Sequence, residues 1–323
     1  MATIVGGTGQ HDVQRHAVAA VALALLLAAT AAPAAPRIRT LHVPAPGVAD
    51  APLRVRVAVP PRCLDARARC DTLYVNDGQD AEATALFETV AALDARGEIR
   101  APVVVAIDAP PDRMGAYGFS DRANGRPVIA PTRYGDVGAR AQAYSAWLVD
   151  VLVPRIQARW PVRRTPASRT LLGWSLGGAH AFDVAWQYPD VLGGAGAFSP
   201  SFWLSTERDD ADAIARTRIA HSKLTHAAPP SLRLFLAVGT DEERDDRDGD
   251  GVNDALDDVR ELVDGHAGAP GLRALGYRID ADGRVQPGHG DVALYVLPGG
   301  IHRQSSWGRV LPAFLRWAYP RGR

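Results

Sequence analysis

The sequence predicts an α/β protein: a mostly parallel central sheet with helices on both faces. Three observations carry that expectation. Short apolar, β-rich runs recur along the chain with helical stretches between them, the alternation that βαβ crossovers produce. Most of the runs are continuously apolar rather than alternating, as strands buried on both faces are, and they end in Gly, Asp, Asn or Ser. One of them, SRTLLGW, passes through a small-residue turn directly into helical sequence.

Taken in order, LRVRVAVP (53–60) alternates apolar and charged positions and reads as a half-exposed antiparallel edge strand. DTLYVND (71–77), PVVVAID (102–108), SRTLLGW (168–174), GGAGAFS (193–199), LRLFLAVG (232–239) and DVALYVLPGG (291–300) read as the buried parallel strands. Helices are expected near 80–96, 138–159, 176–188, 254–264 and 306–318, the third halted before Pro189. No internal repeat interrupts this pattern.

With 323 residues, 47% of them hydrophobic and 22% charged, the chain is long enough for one large core. Thirty-six basic and thirty-six acidic residues cancel, so no net field draws the chain to nucleic acid or to an anionic membrane surface. Arg15 and His16 precede the apolar run AVAAVALALLLAAT, which ends in AAPAAP. That is the pattern of an export signal over 1–34 with cleavage after Ala34, leaving a catalytic domain over 35–323 in the periplasm or outside the cell. No later segment is long enough to span a membrane as a helix. TIVGGTGQH, near the start, imitates a dinucleotide-binding turn but lacks the third glycine and the βαβ unit that should follow. Cys63 and Cys70 are the only cysteines, and an even pair in an exported chain reads as a disulfide.

Gly173-Trp174-Ser175-Leu176-Gly177 matches G-x-S-x-G, a sharp strand-to-helix turn whose flanking glycines let the serine hydroxyl stand exposed. A serine hydroxyl is a poor nucleophile, so a base must take its proton and a third group must orient the base. In the α/β-hydrolase fold, to which this turn points, the chain order is Ser, acid, His. Of the later histidines, His302 follows the last apolar strand in a Gly-Gly-Ile-His turn and is the expected base. His180 falls inside the helix after Ser175; His221, His226, His266 and His289 fall in polar connecting segments and read as solvated. Backbone N–H groups that stabilise an oxyanion are expected from Leu176, at the start of that helix, and from Gln79, just after Asp77-Gly78. Trp174 and Trp203 are candidates to line the substrate pocket, against the alternative of buried structural tryptophans.

LYVNDGQD, GWSLGG, YPDVLGGAGAFSPSFW, VGTDE and GGIHRQSSWGRVLPAFLRW together resemble the putative-esterase family, which includes enterochelin esterases, feruloyl esterases, S-formylglutathione hydrolase and mycobacterial mycolyltransferases. The resemblance runs from about residue 50 to the C-terminus, and its most specific piece places Trp307 five residues after His302. It implies that the Gln79 N–H is the second oxyanion donor. It also implies that the acid lies three residues past Gly239, which is Glu242; Asp241, or a Ser-His dyad with no dedicated acid, is the alternative. Leu176 departs from the methionine common in the family, at a position where the backbone does the work. The expected activity is hydrolysis of a small-molecule or glycan carboxylic ester through an acyl-enzyme on Ser175, with no cofactor required. Acyl transfer would use the same residues. A non-catalytic envelope protein on this scaffold is disfavoured by the intact Ser and His.

The stretch DEERDDRDGDGVNDALDD (241–258) stands apart. Counted from Asp246, carboxylates fall at positions 1, 3, 5 and 9 (Asp246, Asp248, Asp250, Asp254), glycine at 6 and the Val252 carbonyl at 7. Asp257 takes the place of the closing glutamate. This is the oxygen pattern of a calcium loop, set against the plainer reading of a solvated acidic insertion.

Overall fold

In the computed structural model the described residues are 1–3, 36–65, 67–225, 230–266, 268–280 and 291–321. The chain divides into two units, Met1–Ala34 and Ala35–Arg323, and the elements described below belong to the second. The export signal expected over 1–34, residues 1–3 apart, lies outside the described residues.

The main sheet contains, among the described residues, β1 (Arg37–Val43), β2 (Leu53–Val59), β3 (Thr72–Val75), β4 (Val103–Ile107), β5 (Arg169–Trp174), β6 (Gly194–Phe198), β7 (Arg233–Gly239), β8 (Ile279–Asp280) and β9 (Val292–Leu297). Their spatial order is β1-β2-β4-β3-β5-β6-β7-β9-β8. Strands β1 and β2 run antiparallel, as do β2 and β4; every later pairing is parallel. The expected α/β-hydrolase fold is therefore present, with one correction. β2 is antiparallel but is not an edge: β1 pairs with it along its whole length, from Arg37 opposite Val59 to Val43 opposite Leu53, and most of β2 is buried.

The longer α-helices among the described residues are α1 (Leu86–Ala95), α2 (Ala141–Trp147), α3 (Val153–Arg159), α4 (Leu176–Gln187), α5 (Ala211–Thr217), α6 (Ile219–Thr225), α7 (Asp254–Asp264) and α8 (Gln304–Ala318). A π-helical turn, Leu148–Leu152, joins α2 to α3, so the expected helix over 138–159 is one nearly continuous rod. Alternate strand residues feed two apolar layers, because successive side chains point to opposite faces of a sheet. Val103, Val105, Leu171, Leu234 and Leu236 pack on the face covered by α2, α3 and α4. Val104, Leu172, Trp174, Phe235 and Ala293 pack on the face covered by α1 and α8. Both faces are thereby buried, which is why the parallel strands are continuously apolar.

Cys63 and Cys70 are bonded, closing the connection between β2 and β3 near the N-terminal ends of the parallel strands. Two hairpins that the sequence did not signal, Phe119–Asp121 with Arg126–Val128 and Ala130–Thr132 with Gly135–Val137, occupy the connection from β4 to α2. No described helix is long and apolar enough to cross a membrane.

Candidate active site

Ser175 sits between β5 and α4 with φ 57° and ψ −128°, a left-handed backbone that few non-glycine residues adopt. Two glycines make the turn possible. A Cβ on Gly173 would meet the Gly177 carbonyl oxygen at 2.1 Å, and a Cβ on Gly177 would meet Asp77 Oδ2 at 2.7 Å. Strand and helix thus approach more closely than any side chain allows. Ser175 N–H donates to the Phe198 carbonyl at 3.0 Å, tying the turn to β6. Leu176 opens α4, so its N–H points out of the helix at the positive end of the dipole.

The loop after β3 stands opposite. Asp77 is also left-handed (φ 53°) and almost wholly buried, and its carboxylate accepts two bonds from Arg113, at 2.7 Å from Nε and 2.8 Å from Nη2. Its own N–H donates to Tyr117 Oη at 3.0 Å. Gln79 follows in a 3₁₀ turn, its side chain tied to Asp77 Oδ1 and to the Ala109 N–H. Behind this loop Asn76 bonds the Gly177 carbonyl and His180 Nδ1. His180 is fully buried, pushed down to about 3 by burial, and so stays neutral in the core.

Glu242 and His302 arrive on the loops after β7 and β9. His302 Nδ1 and Glu242 Oε2 are 2.7 Å apart, and the carboxylate is almost wholly buried while the imidazole is 40% exposed. The other oxygen, Oε1, accepts from the Gly239 N–H at 2.7 Å and from Ser199 Oγ at 2.6 Å. Ser199 in turn accepts from Trp307 Nε1 at 2.8 Å. Its φ is 43°, which costs a residue with a Cβ on the order of 1 kcal/mol. Asp241, the alternative acid, is exposed; its carboxylate accepts from Thr240 Oγ1 and does not reach His302.

Ser175, Leu176, Glu242 and His302 line one cavity of about 840 Å³. No hydrogen bond joins Ser175 Oγ to His302, although both border this cavity. Trp203 lines the cavity. Trp174 does not: it is buried, stacks on Trp307 with ring centroids 5.5 Å apart, and donates from Nε1 to Asp80 at 3.0 Å. His221, expected to be solvated, is 7% exposed and pushed down to about 3 by burial, then by the charge of Arg218. His226 and His289 lie outside the described residues. The residues that the sequence did not single out are Arg113 and Ser199, whose partners lie 36 and 43 positions away and whose roles depend on backbone angles.

The acidic stretch forms one wall of the cavity. Carboxylate oxygens of Asp246, Asp248 and Asp250 lie within 4.8 Å of one another, all exposed. Asp246 accepts from the Gly249 and Gly251 N–H groups. The other expected ligands fit less well. Asp254 does not join the three: its Oδ1 accepts the Arg247 N–H at 2.8 Å. Asp257 lies in the first turn of α7, and burial together with the charges of Asp250 and Asp248 pushes it up to about 6. The Val252 N–H is turned to Asp250 at 2.8 Å. Arg247 anchors the stretch through Asp258 at 2.6 Å, beneath which Arg218 also bonds Asp258.

Comparison with known proteins agrees with this architecture. The family described as Putative esterase matches residues 48–264. An uncharacterised protein of Bacillus subtilis (strain 168), YbbA, is 27% identical over 195 residues, covering 59% of this chain and 70% of that one. Among solved structures, a ferulic acid esterase superposes with a TM-score of 0.59 at 15% identity, covering 88% of this chain and 97% of the other. The enterobactin esterase of Shigella flexneri superposes at 0.58 with 14% identity, covering 87% of this chain and 59% of its own. At such identities the likeness is one of fold. The family match takes in Ser175 and Glu242 and stops short of His302. The chain belongs to the putative-esterase family, an esterase on the α/β-hydrolase fold.

Proposed function

We propose that this esterase hydrolyses a carboxylic ester by acyl transfer to Ser175. His302 takes the Ser175 proton as the hydroxyl oxygen attacks the ester carbonyl, and Glu242 holds the imidazole and compensates the imidazolium charge. The oxygen of the tetrahedral intermediate is bound by the N–H groups of Leu176 and Gln79. His302 then gives its proton to the departing alcohol, leaving an ester on Ser175. A water deprotonated by His302 attacks that acyl-enzyme, and the acid product leaves with the serine restored. The chain needs no cofactor for these steps. We further propose export to the periplasm or beyond, with cleavage after Ala34.

The observation that carries the reading is the 2.7 Å bond from His302 to a buried Glu242, on loops that border the same cavity as a serine with φ 57°. The names of two structural relatives, a ferulic acid esterase and an enterobactin esterase, support trying feruloyl esters and enterobactin first. The test is a screen of the chain from residue 35 against p-nitrophenyl, feruloyl, acetyl-sugar and catecholate esters, beside Ser175→Ala. The reading expects at least one class to be turned over and Ser175→Ala to be lower by about a millionfold, or to the background rate. Turnover by Ser175→Ala at the unmutated rate would remove it.

A further inference from the structure

We infer that Ser199 is a positioning residue for the Glu242 carboxylate: its hydroxyl fills Oε1 and so leaves Oε2 to face His302. The inference rests on the proposed roles of Ser175, His302 and Glu242. Its direction follows from hydrogen-bond chemistry alone. An indole N–H can only donate and an ionised carboxylate can only accept. Trp307 Nε1 lies 2.8 Å from Ser199 Oγ, and Ser199 Oγ lies 2.6 Å from Glu242 Oε1. The hydroxyl between them must therefore accept from Trp307 and spend its single proton on Glu242. Gly239 N–H supplies the second donor to the same oxygen. The buried carboxylate is held by three donors with no freedom to turn.

The backbone at Ser199 gives the second line of argument. With φ 43° at the end of β6, this position suits glycine, and a serine there is a local strain. Its N–H is engaged with the Ala237 carbonyl, so the loop keeps this angle whatever the side chain. What a glycine cannot supply is the hydroxyl. Trp307 extends the brace: it stacks on Trp174, the residue before Ser175, and meets the His302 ring edge-on at 5.4 Å. Trp174 then donates to Asp80, next to Gln79. One chain of contacts runs from the acid to the serine and on to the loop expected to bind the oxyanion.

The test separates strain from chemistry by moving them in opposite directions. With p-nitrophenyl acetate, Ser199→Gly should keep or raise the Tm, lower kcat about ten- to a hundredfold and leave KM within about twofold. The rate at which a fluorophosphonate labels Ser175 should fall by the same factor. Ser199→Thr keeps a hydroxyl but places a β-branched side chain on left-handed backbone, so it should melt lower while holding kcat within about threefold of the unmutated chain. Should the threonine variant not fold, Ser199→Ala replaces it: it retains the strain of serine, lacks the hydroxyl and should match the glycine variant in kcat. Ser199→Gly with unchanged kcat and unchanged labelling rate overturns the inference. Ser175→Ala runs beside these: if it is inactive, the result at Ser199 bears on this inference alone, and if it is active both readings fall.

Discussion

Asp241 and Glu242 are neighbours in the chain, yet only Glu242 reaches His302. The cause is the end of β7: the Gly239 N–H points at the side chain three residues on, and the Ser199 hydroxyl meets it from β6. Glu242→Gln should therefore lower kcat/KM by about two to four orders of magnitude, since a neutral amide neither fixes the productive tautomer nor compensates the imidazolium. Asp241→Asn should change it less than about twofold. Steady-state kinetics on the two variants checks both, and equal losses would mean that the adjacent acids share the task. Ser175 and His302 were legible because each has a local signature, a glycine-flanked turn after a strand and a Gly-Gly-Ile-His turn after the last strand. Ser199 was not, because nothing in SPSFW announces a left-handed backbone or a partner 43 residues away. Arg113 was hidden for the same reason; its carboxylate partner is the buried Asp77, and that pairing needs the sheet to exist first.

At the scale of elements, the apolar parallel strands and the helix after Ser175 were readable from pattern alone, because burial on both faces leaves a continuous apolar run. β1 escaped notice: RIRTLHV is exposed over most of its length, and its pairing to β2 is visible only in three dimensions. That omission made β2 look like an edge. The disulfide was legible from the count of two cysteines and the export signal expected ahead of them. It closes a short loop by the N-terminal ends of β3 and β5, whereas Ser175, Glu242 and His302 stand at C-terminal strand ends. Cys63→Ser/Cys70→Ser should therefore cost about 2–3 kcal/mol in denaturant melts. kcat should stay unchanged where the variant is folded. The acidic loop is the element that should respond to cations. Three exposed carboxylates within 4.8 Å repel one another, and a hard cation relieves that repulsion. Because Asp254 is held by Arg247, the donor set is short of a full calcium loop and only weak affinity is expected. Millimolar calcium should raise the Tm by a degree or two, and Asp248→Ala/Asp250→Ala should abolish the rise. No rise at that concentration would leave a solvated acidic wall.

For the whole molecule, the sheet acts as a carrier that gathers four loops at one end: after β3, β5, β7 and β9. Apolar layers on both faces fix those loop ends, and the loops carry the residues proposed for the chemistry. Buried histidines make the same core sensitive to acid. His180 and His221 are both pushed down to about 3, so between that value and the ordinary histidine range the unfolded chain binds protons that the folded chain refuses. Stability should therefore fall as pH drops from about 6.5, with each histidine tending toward about 1.4 kcal/mol per pH unit. Asp257, pushed up to about 6, works the other way below that pH, because the folded chain then takes up a proton first. Urea melts at about pH 7.5 and 5.5 should show the net loss, and His221→Leu should reduce it. A slope untouched by that variant would place the acid sensitivity elsewhere. The central claim is that one serine, raised on a strained turn and served by His302, carries the acyl group. Mass spectrometry of the chain after brief exposure to a fluorophosphonate tests it most directly. The expected result is a single adduct on the peptide that contains Ser175, absent in Ser175→Ala and formed at least about a hundredfold more slowly in His302→Ala. An adduct on another residue, or full labelling of Ser175→Ala, would contradict it.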